Sequence, residues 1–478
     1  MPPALALLLC TVFVIFLLRL DRRQASTVSH GLWIPTIWLL STATKPLDVW
    51  LCFWFGLDCG LQGDAEGSPL ERIFLSGFLC LGLFLIAKRK INWTNIRKEN
   101  AWLILLIGYM FVSILWSDIP YISFKRCMRE LIAIVMACII LTEQDPRQAV
   151  QSILRRMVYI LIPFSLLLVK FYPQYGVEYG PWFGERMWVG VTTQKNGIGR
   201  LCLISIFFLV WTLVTKWRGQ EIAVSKYQAP AEVLVTAIAL WMLSGGGVST
   251  YSATAVASLT AGLALFLSLL WMQQHRIWLA KVWGILIAVI FIIGSILPFF
   301  VAGGSVDTGL TNILGRDGTF TGRTFIWARL LTFFDNHPIL GYGFGGFWTS
   351  TTQQIVYGVK EAHNGYLAAC LDVGIIGLLL IGMFLWSIIR KAQRAMAHDP
   401  DWGMLCLGFV LMAVIHNISE ASINSFQRHL TATLLFLSVV IPVDVYRKSR
   451  YSKPTAEPAR KPCFSRYKTK MARSRIVN

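Results

Sequence analysis

The chain has 478 residues, of which 55% are hydrophobic and only 14% charged, and it carries a formal charge of +19. That composition, spread over many long apolar runs, excludes a water-soluble globular fold and defines a polytopic membrane protein. The positive charge is not a nucleic-acid signature, because Lys and Arg fall between alternate apolar segments instead of along one polar domain.

In chain order, apolar runs predict about thirteen spans, at residues 3–18, 32–44, 73–87, 101–116, 130–142, 157–169, 197–215, 231–244, 254–272, 282–301, 366–389, 403–418 and 429–443. The expected fold is an all-α polytopic integral membrane protein of about 12–14 transmembrane helices, with a large outer loop between two late helices. The first run reads as a retained helix, since Arg19, Asp21, Arg22 and Arg23 follow it and no small-residue cleavage site does. Basic clusters such as Arg22 with Arg23, Lys88 to Lys90, Arg155 with Arg156, Lys216 with Arg218, and Arg390 with Lys391 and Arg394 all fall on one side if every run crosses once. The positive-inside rule makes that side cytoplasmic, with the N-terminus outside and the C-terminus inside. One set disagrees: Lys125, Arg126 and Arg129 would face outward.

Residues 1–445 read as one membrane domain and 446–478 as a basic cytoplasmic tail without fixed structure, lying near anionic lipid. Most of the ten cysteines sit inside apolar runs as small hydrophobes, and only Cys52 and Cys59 share an outer loop in which a bridge could form. Two outer loops are long and aromatic, 170–196 and 303–364. The second is expected to contain its own helix, with Thr321 as a cap, Pro338 just beyond its end and an apolar surface nearly all round.

The chemistry-bearing residues concentrate in these loops. Arg186, Arg316 and Arg323 lie where positive charge is disfavoured, and a diphosphate would explain them, because a guanidinium stays charged and offers a planar fork of donors to phosphate oxygens. Pairing with Glu178, Glu185, Asp307 or Asp317 is the simpler alternative. His363, in Glu361-Ala362-His363-Asn364-Gly365-Tyr366 at the mouth of a helix, is the leading general base for a sugar hydroxyl, the alternative being a polar interfacial anchor. Asn364 is placed to cap that helix. The run Gly341-Tyr342-Gly343-Phe344-Gly345-Gly346 lacks the Lys-Ser/Thr ending of a nucleotide loop and reads as an aromatic-lined turn. His416, Glu420 and His429 read as an isolated polar set and not as metal ligands, so neither a metal nor another cofactor is expected.

Three motifs, TGRTFIW from Thr321, HPILGYGFGGF from His337 and AHNGYL from Ala362, resemble in order and context the C-terminal signature of the O-antigen ligase and polysaccharide polymerase family (WaaL, Wzy and ExoQ-like proteins). Leu115-Trp116-Ser117-Asp118-Ile119-Pro120 resembles a further short family motif. ExoQ-like exopolysaccharide polymerases are the members it looks closest to. The resemblance implies a metal-independent inverting glycosyltransferase of the bacterial inner membrane that takes glycan from undecaprenyl diphosphate on the periplasmic side. It implies Arg323 for the diphosphate and His363 for the acceptor, with Arg186 in GERMWVG and Arg316 in LGRDG less securely matched and Arg200 competing with Arg186. The implied partners are an undecaprenyl-diphosphate-linked oligosaccharide, a glycan acceptor, membrane lipids and other polysaccharide export proteins, with no nucleic acid. A lipid or polysaccharide transporter would need ionisable groups through the membrane core, and a non-catalytic assembly partner would tolerate loss of His363.

Overall fold

The structure, a computed structural model, describes residues 1–25, 27–55, 68–89, 93–180, 184–219, 225–247, 249–275, 280–302, 323–356, 358–359 and 361–451. Helices account for nearly all of it: α1 (Pro3–Gln24), α2 (Trp33–Ala43), α3 (Leu47–Phe55), α4 (Pro69–Lys88), α5 (Trp93–Glu99), α6 (Ala101–Val112), α7 (Pro120–Leu141) and α8 (Pro146–Phe171) come first. A single turn, α9 (Pro173–Gly176), leads to a hairpin of β1 (Val177–Tyr179) and β2 (Arg186–Trp188). Then follow α10 (Lys195–Trp217), α11 (Gln228–Leu243), α12 (Ala253–Gln274), α13 (Ala280–Ala302), α14 (Arg323–Phe334), α15 (Ser350–Ile355), α16 (Gly365–Ala395), α17 (Pro400–His416) and α18 (His429–Tyr451).

Each of the thirteen expected spans lies on one of these helices, as it must where lipid can satisfy no backbone group and the helix does so internally. Seven are long and apolar enough to cross a membrane by length and composition, and four shorter apolar helices accompany them. The fold is that of an all-α polytopic membrane protein. Within the bundle, α8 and α10 have 83% of their apolar windows buried, against 17% for α1 and 11% for α4, so the former are central and the latter face outward. The run at 130–142 is only the second half of α7. The helix starts ten residues earlier because its charged residues are satisfied by protein: Glu130 accepts from Ser425 Oγ and Phe426 N, both at 2.7 Å, and Arg126 donates to the carbonyls of Gly345 and Trp348.

Ion pairs knit one end of the bundle together. Arg155 and Arg156 of α8 meet Asp21 of α1 at 3.1 and 2.7 Å, Arg89 meets Glu143 at 2.8 Å, and Lys216 of α10 meets Glu232 of α11 at 2.7 Å. Arg147 pairs with Asp399 and Arg218 with Asp401 at the same end. These basic clusters therefore gather on one face, and the described parts of the two long loops lie at the opposite end.

Departures from the expected fold are local. The 170–196 loop contains the short antiparallel hairpin, extended by Thr250, whose N–H donates to Arg186 O at 3.0 Å. Cys52 is disulfide-bonded, while Cys59 lies outside the described residues. So do Thr321, Asp307, Arg316 and Asp317, and the tail from residue 452.

Candidate active site at the loop end of the bundle

The late loop does contain the expected helix. α14 buries Trp327, Leu330 and Phe334 and leaves Phe325 exposed, and Trp327 Nε1 donates to Ala362 O at 2.9 Å. One face thus packs under the loop and fixes the backbone just ahead of His363.

The glycine-bearing turn is fixed by a break in α16. Gly374 adopts φ 67° and ψ −172°, a region open essentially to glycine alone, and the helix continues on either side. Residues 338–342 fill the gap: Ile375 N donates to Pro338 O at 2.9 Å and Tyr342 N to Leu371 O at 2.9 Å. A Cβ on Gly374 would stand 2.1 Å from Ile339 O, so the close approach also requires glycine. The turn reads a helix backbone, not a nucleotide.

At the mouth of α16, Asn364 caps the helix as expected, accepting from Leu367 N at 2.8 Å, and its amide donates to Ile418 O at 2.8 Å. That second bond joins the α16 mouth to the turn between α17 and α18. His363 is forced into φ 49°, the single non-glycine residue with positive φ among the described residues. Such strain persists where surroundings over-determine it and is common at functional sites. Its Nδ1 lies 3.5 Å from Glu361 Oε1, and Nδ1 is buried without a hydrogen-bond partner.

Around it stand three arginines from separate elements. Arg323, first residue of α14, donates through Nη2 to Glu420 Oε1 at 2.6 Å, and Asn196 Nδ2 donates to the same oxygen at 2.6 Å. Arg428, just before α18, reaches Glu361 Oε2 at 3.4 Å. Arg200 of α10 is buried in the same electrostatic neighbourhood as Glu361, Glu420 and Arg428, with Nε and Nη2 lacking hydrogen-bond partners. Burial alone would raise the Glu361 carboxyl, but Arg428, His363 and Arg200 outweigh it and hold it below the usual 4.5. Three guanidiniums against two carboxylates leave the chamber electropositive.

The structure brings two of the four predicted residues together, Arg323 and His363, on one carboxylate-bearing patch. Arg186 lies exposed on β2, and its backbone carbonyl accepts from Thr250 N. Arg200, the competing match, is the one inside the chamber. Among the described residues the partner of Arg323 is Glu420, and not Glu178 or Glu185. Glu420 is therefore no isolated residue, whereas His416 and His429 lie buried nearby with ring nitrogens lacking partners. Arg428 escaped the sequence reading; the available signal was a cation at the mouth of a span on the outer side. Oxygens and nitrogens of Glu361, His363 and Glu420 also lie within 4.8 Å of one another, a spacing a metal ion could use.

A multi-pass helical bundle with a polar, arginine-rich cluster at one end defines the class, and comparison with known proteins narrows it. Residues 238–382 match the O-antigen ligase family, a segment that holds both Arg323 and His363. The chain is also similar to the exopolysaccharide production protein ExoQ of Rhizobium meliloti (strain 1021), with 25% identity over 380 residues, 74% of this chain and 80% of that protein. Together these similarities support an O-antigen ligase/ExoQ-like family for this chain, and with it polysaccharide polymerisation or ligation in exopolysaccharide synthesis.

Proposed function

We propose that the chain is a glycosyltransferase of the bacterial inner membrane, working on the periplasmic face, that moves glycan from undecaprenyl diphosphate to the end of another glycan. The observation that carries this reading is the convergence of Arg323, Arg200 and Arg428 on the loop carrying His363. The sugar hydroxyl of the acceptor attacks the anomeric carbon from the side opposite the diphosphate, inverting it. His363 takes the hydroxyl proton through Nε2, and the Glu361 carboxylate, 3.5 Å from Nδ1, stabilises the imidazolium that forms. The bond to the diphosphate breaks, and the charge that develops on the leaving oxygen falls to the guanidiniums. A guanidinium carries five N–H donors, so the single bond from Arg323 to Glu420 leaves the rest for phosphate.

The reaction is read as metal-independent on the chemistry of the donor set. One oxygen of Glu420 is already taken by Arg323 and Asn196, and three arginines repel a cation from the space between Glu361 and His363. Arg186 on the hairpin and Arg316 in the late loop remain proposed contacts for the glycan or diphosphate. Similarity to a protein of exopolysaccharide production favours chain extension over capping of a lipid core. The test is purified protein reconstituted with a defined undecaprenyl-diphosphate-linked repeat unit: the reading expects longer glycan and free lipid diphosphate, and their absence would reject it.

A further inference from the structure

Two side chains on α7, Arg126 and Glu130, lie one helical turn apart on the same face and hold different loops of the site. Arg126 donates to the carbonyls of Gly345 and Trp348, in the stretch that leads to Glu361 and His363. Glu130 accepts from Ser425 Oγ and Phe426 N, both at 2.7 Å, and one residue earlier the Arg129 carbonyl accepts from Gln427 Nε2 at 2.6 Å. The cation meets carbonyls and the carboxylate meets donors, so α7 brackets the site from below.

The second set of contacts decides where Arg428 stands. The turn between α17 and α18 is fastened near its start from within, where Asn417 Oδ1 accepts from Ser422 N at 2.8 Å and from Ile423 N at 2.9 Å. Residues 425–427 are fastened by α7 instead. Ser425 Oγ, which donates to Glu130, also accepts from Gln427 N at 3.1 Å, so one hydroxyl ties the carboxylate to the residue before Arg428. The Arg428 side chain is 43% exposed and reaches Glu361 Oε2 at 3.4 Å. A guanidinium held that lightly by its own contacts goes where its backbone puts it. Glu130, by contrast, is 3% exposed. A carboxylate is costly to desolvate, and here the two donors and the charges of Arg129 and Arg428 offset that cost.

We propose that Glu130 is a positioning residue for Arg428, setting through Ser425 and Phe426 the place from which that guanidinium reaches Glu361 and an incoming diphosphate. Glu130 touches no substrate and acts through the turn alone. The assignment rests on the glycosyltransferase reading for what Arg428 does in turnover, and not for how Arg428 is held.

The experiment makes two measurements on the full-length protein at matched levels. The first is amide hydrogen exchange. Glu130→Ala deprives Phe426 N and Ser425 Oγ of their acceptor, so peptides spanning 424–430 should exchange about tenfold faster while α8 is unchanged. Glu130→Gln offers a carbonyl to Phe426 N and an amide to Ser425 Oγ, and should stay within about twofold of wild type. The second is a double-mutant cycle in kcat/KM, with an undecaprenyl-diphosphate-linked repeat unit as donor. Glu130→Ala and Arg428→Ala should each lower kcat/KM by about tenfold or more, and the double variant should be no worse than Arg428→Ala alone. Glu130→Gln should recover most of the loss. Losses that multiply in the double variant would make Glu130 a structural residue and overturn the proposal, as would exchange at 424–430 that Glu130→Ala leaves unchanged. If Glu130→Ala does not insert, Ser425→Ala, which removes one of the two contacts and keeps the bond from Phe426 N, replaces it in both measurements with the same pattern expected. Wild-type protein that transfers no glycan would reject the glycosyltransferase reading alone; the cycle is then read in affinity for undecaprenyl diphosphate, where non-additive losses support the positioning role and multiplying losses overturn it.

Discussion

Arg323 and Glu420 lie 97 positions apart in sequence and 2.6 Å apart in space, and Glu420 is fully buried. The contact joins the start of α14 to the turn between α17 and α18, so one guanidinium serves both the frame of the chamber and its charge.

The two roles separate by substitution. Arg323→Lys keeps a charge for Glu420 but loses the planar fork, so the protein should insert normally while activity falls about 10²-fold or more. Arg323→Ala removes the ion pair of a buried carboxylate that keeps only its bond from Asn196 and the charge of Arg200, and should also lower yield and thermal stability. Turnover in the reconstituted assay and melting in detergent read the two effects apart. Full activity in both variants would remove Arg323 from the site.

His363→Ala should retain lipid-linked donor and make no polymer, since loss of a general base costs on the order of 10² to 10⁴ in rate. His363→Gln should fail as well, because an amide cannot take up the proton. Single-turnover rates and donor binding, measured at matched protein levels, check this; near wild-type extension by either variant would make His363 an interfacial anchor.

The spacing of Glu361, His363 and Glu420 makes chelation informative. Activity should be unchanged in EDTA. A loss restored by one added divalent metal would move catalysis from proton transfer to metal chemistry.

Gly374→Ala should destabilise by about 3 kcal/mol or more, from the backbone conformation together with the clash at Ile339 O. Thermal unfolding followed by size-exclusion yield measures it. An unshifted melting point would mean that the turn does not depend on the helix break.

Reporter fusions fix the faces. A fusion after Val359 should be active outside, and one after Arg394, in the last turn of α16, inside. A cytoplasmic signal at Val359 would put His363 on the wrong side for a periplasmic substrate.

Much of the bundle was legible in the sequence, because apolar runs mark helices wherever backbone must satisfy itself, and Asn364 announced its cap. What escaped depended on contacts between distant segments. The first half of α7 was hidden because Glu130 is neutral to hydropathy only once Ser425 and Phe426 have answered it. The α16 break was hidden because Gly374 looks like any glycine in an apolar run until Pro338 and Ile339 are seen in the gap. In the site, Arg323 and His363 carried motif signals and Glu420 stood out only as one of an isolated polar set, whereas Arg428 sits in a short turn between two spans, where hydropathy offers no reason to look. Lys125, Arg126 and Arg129 were visible as an exception to a charge rule, and an exception of that kind points to a place and not to a task.

The carbonyls of Pro338 and Ile339 complete the hydrogen bonding of the α16 segment that follows Gly374. Nine residues of helix above the break, from Gly365 to Val373, are thereby hinged to a rigid shaft below and clasped by the loop itself. A displacement of either would be transmitted to the other, so the strained backbone of His363 is linked to the break at Gly374. Changes in the packing of neighbouring helices can therefore reach the proposed proton acceptor without touching any substrate contact.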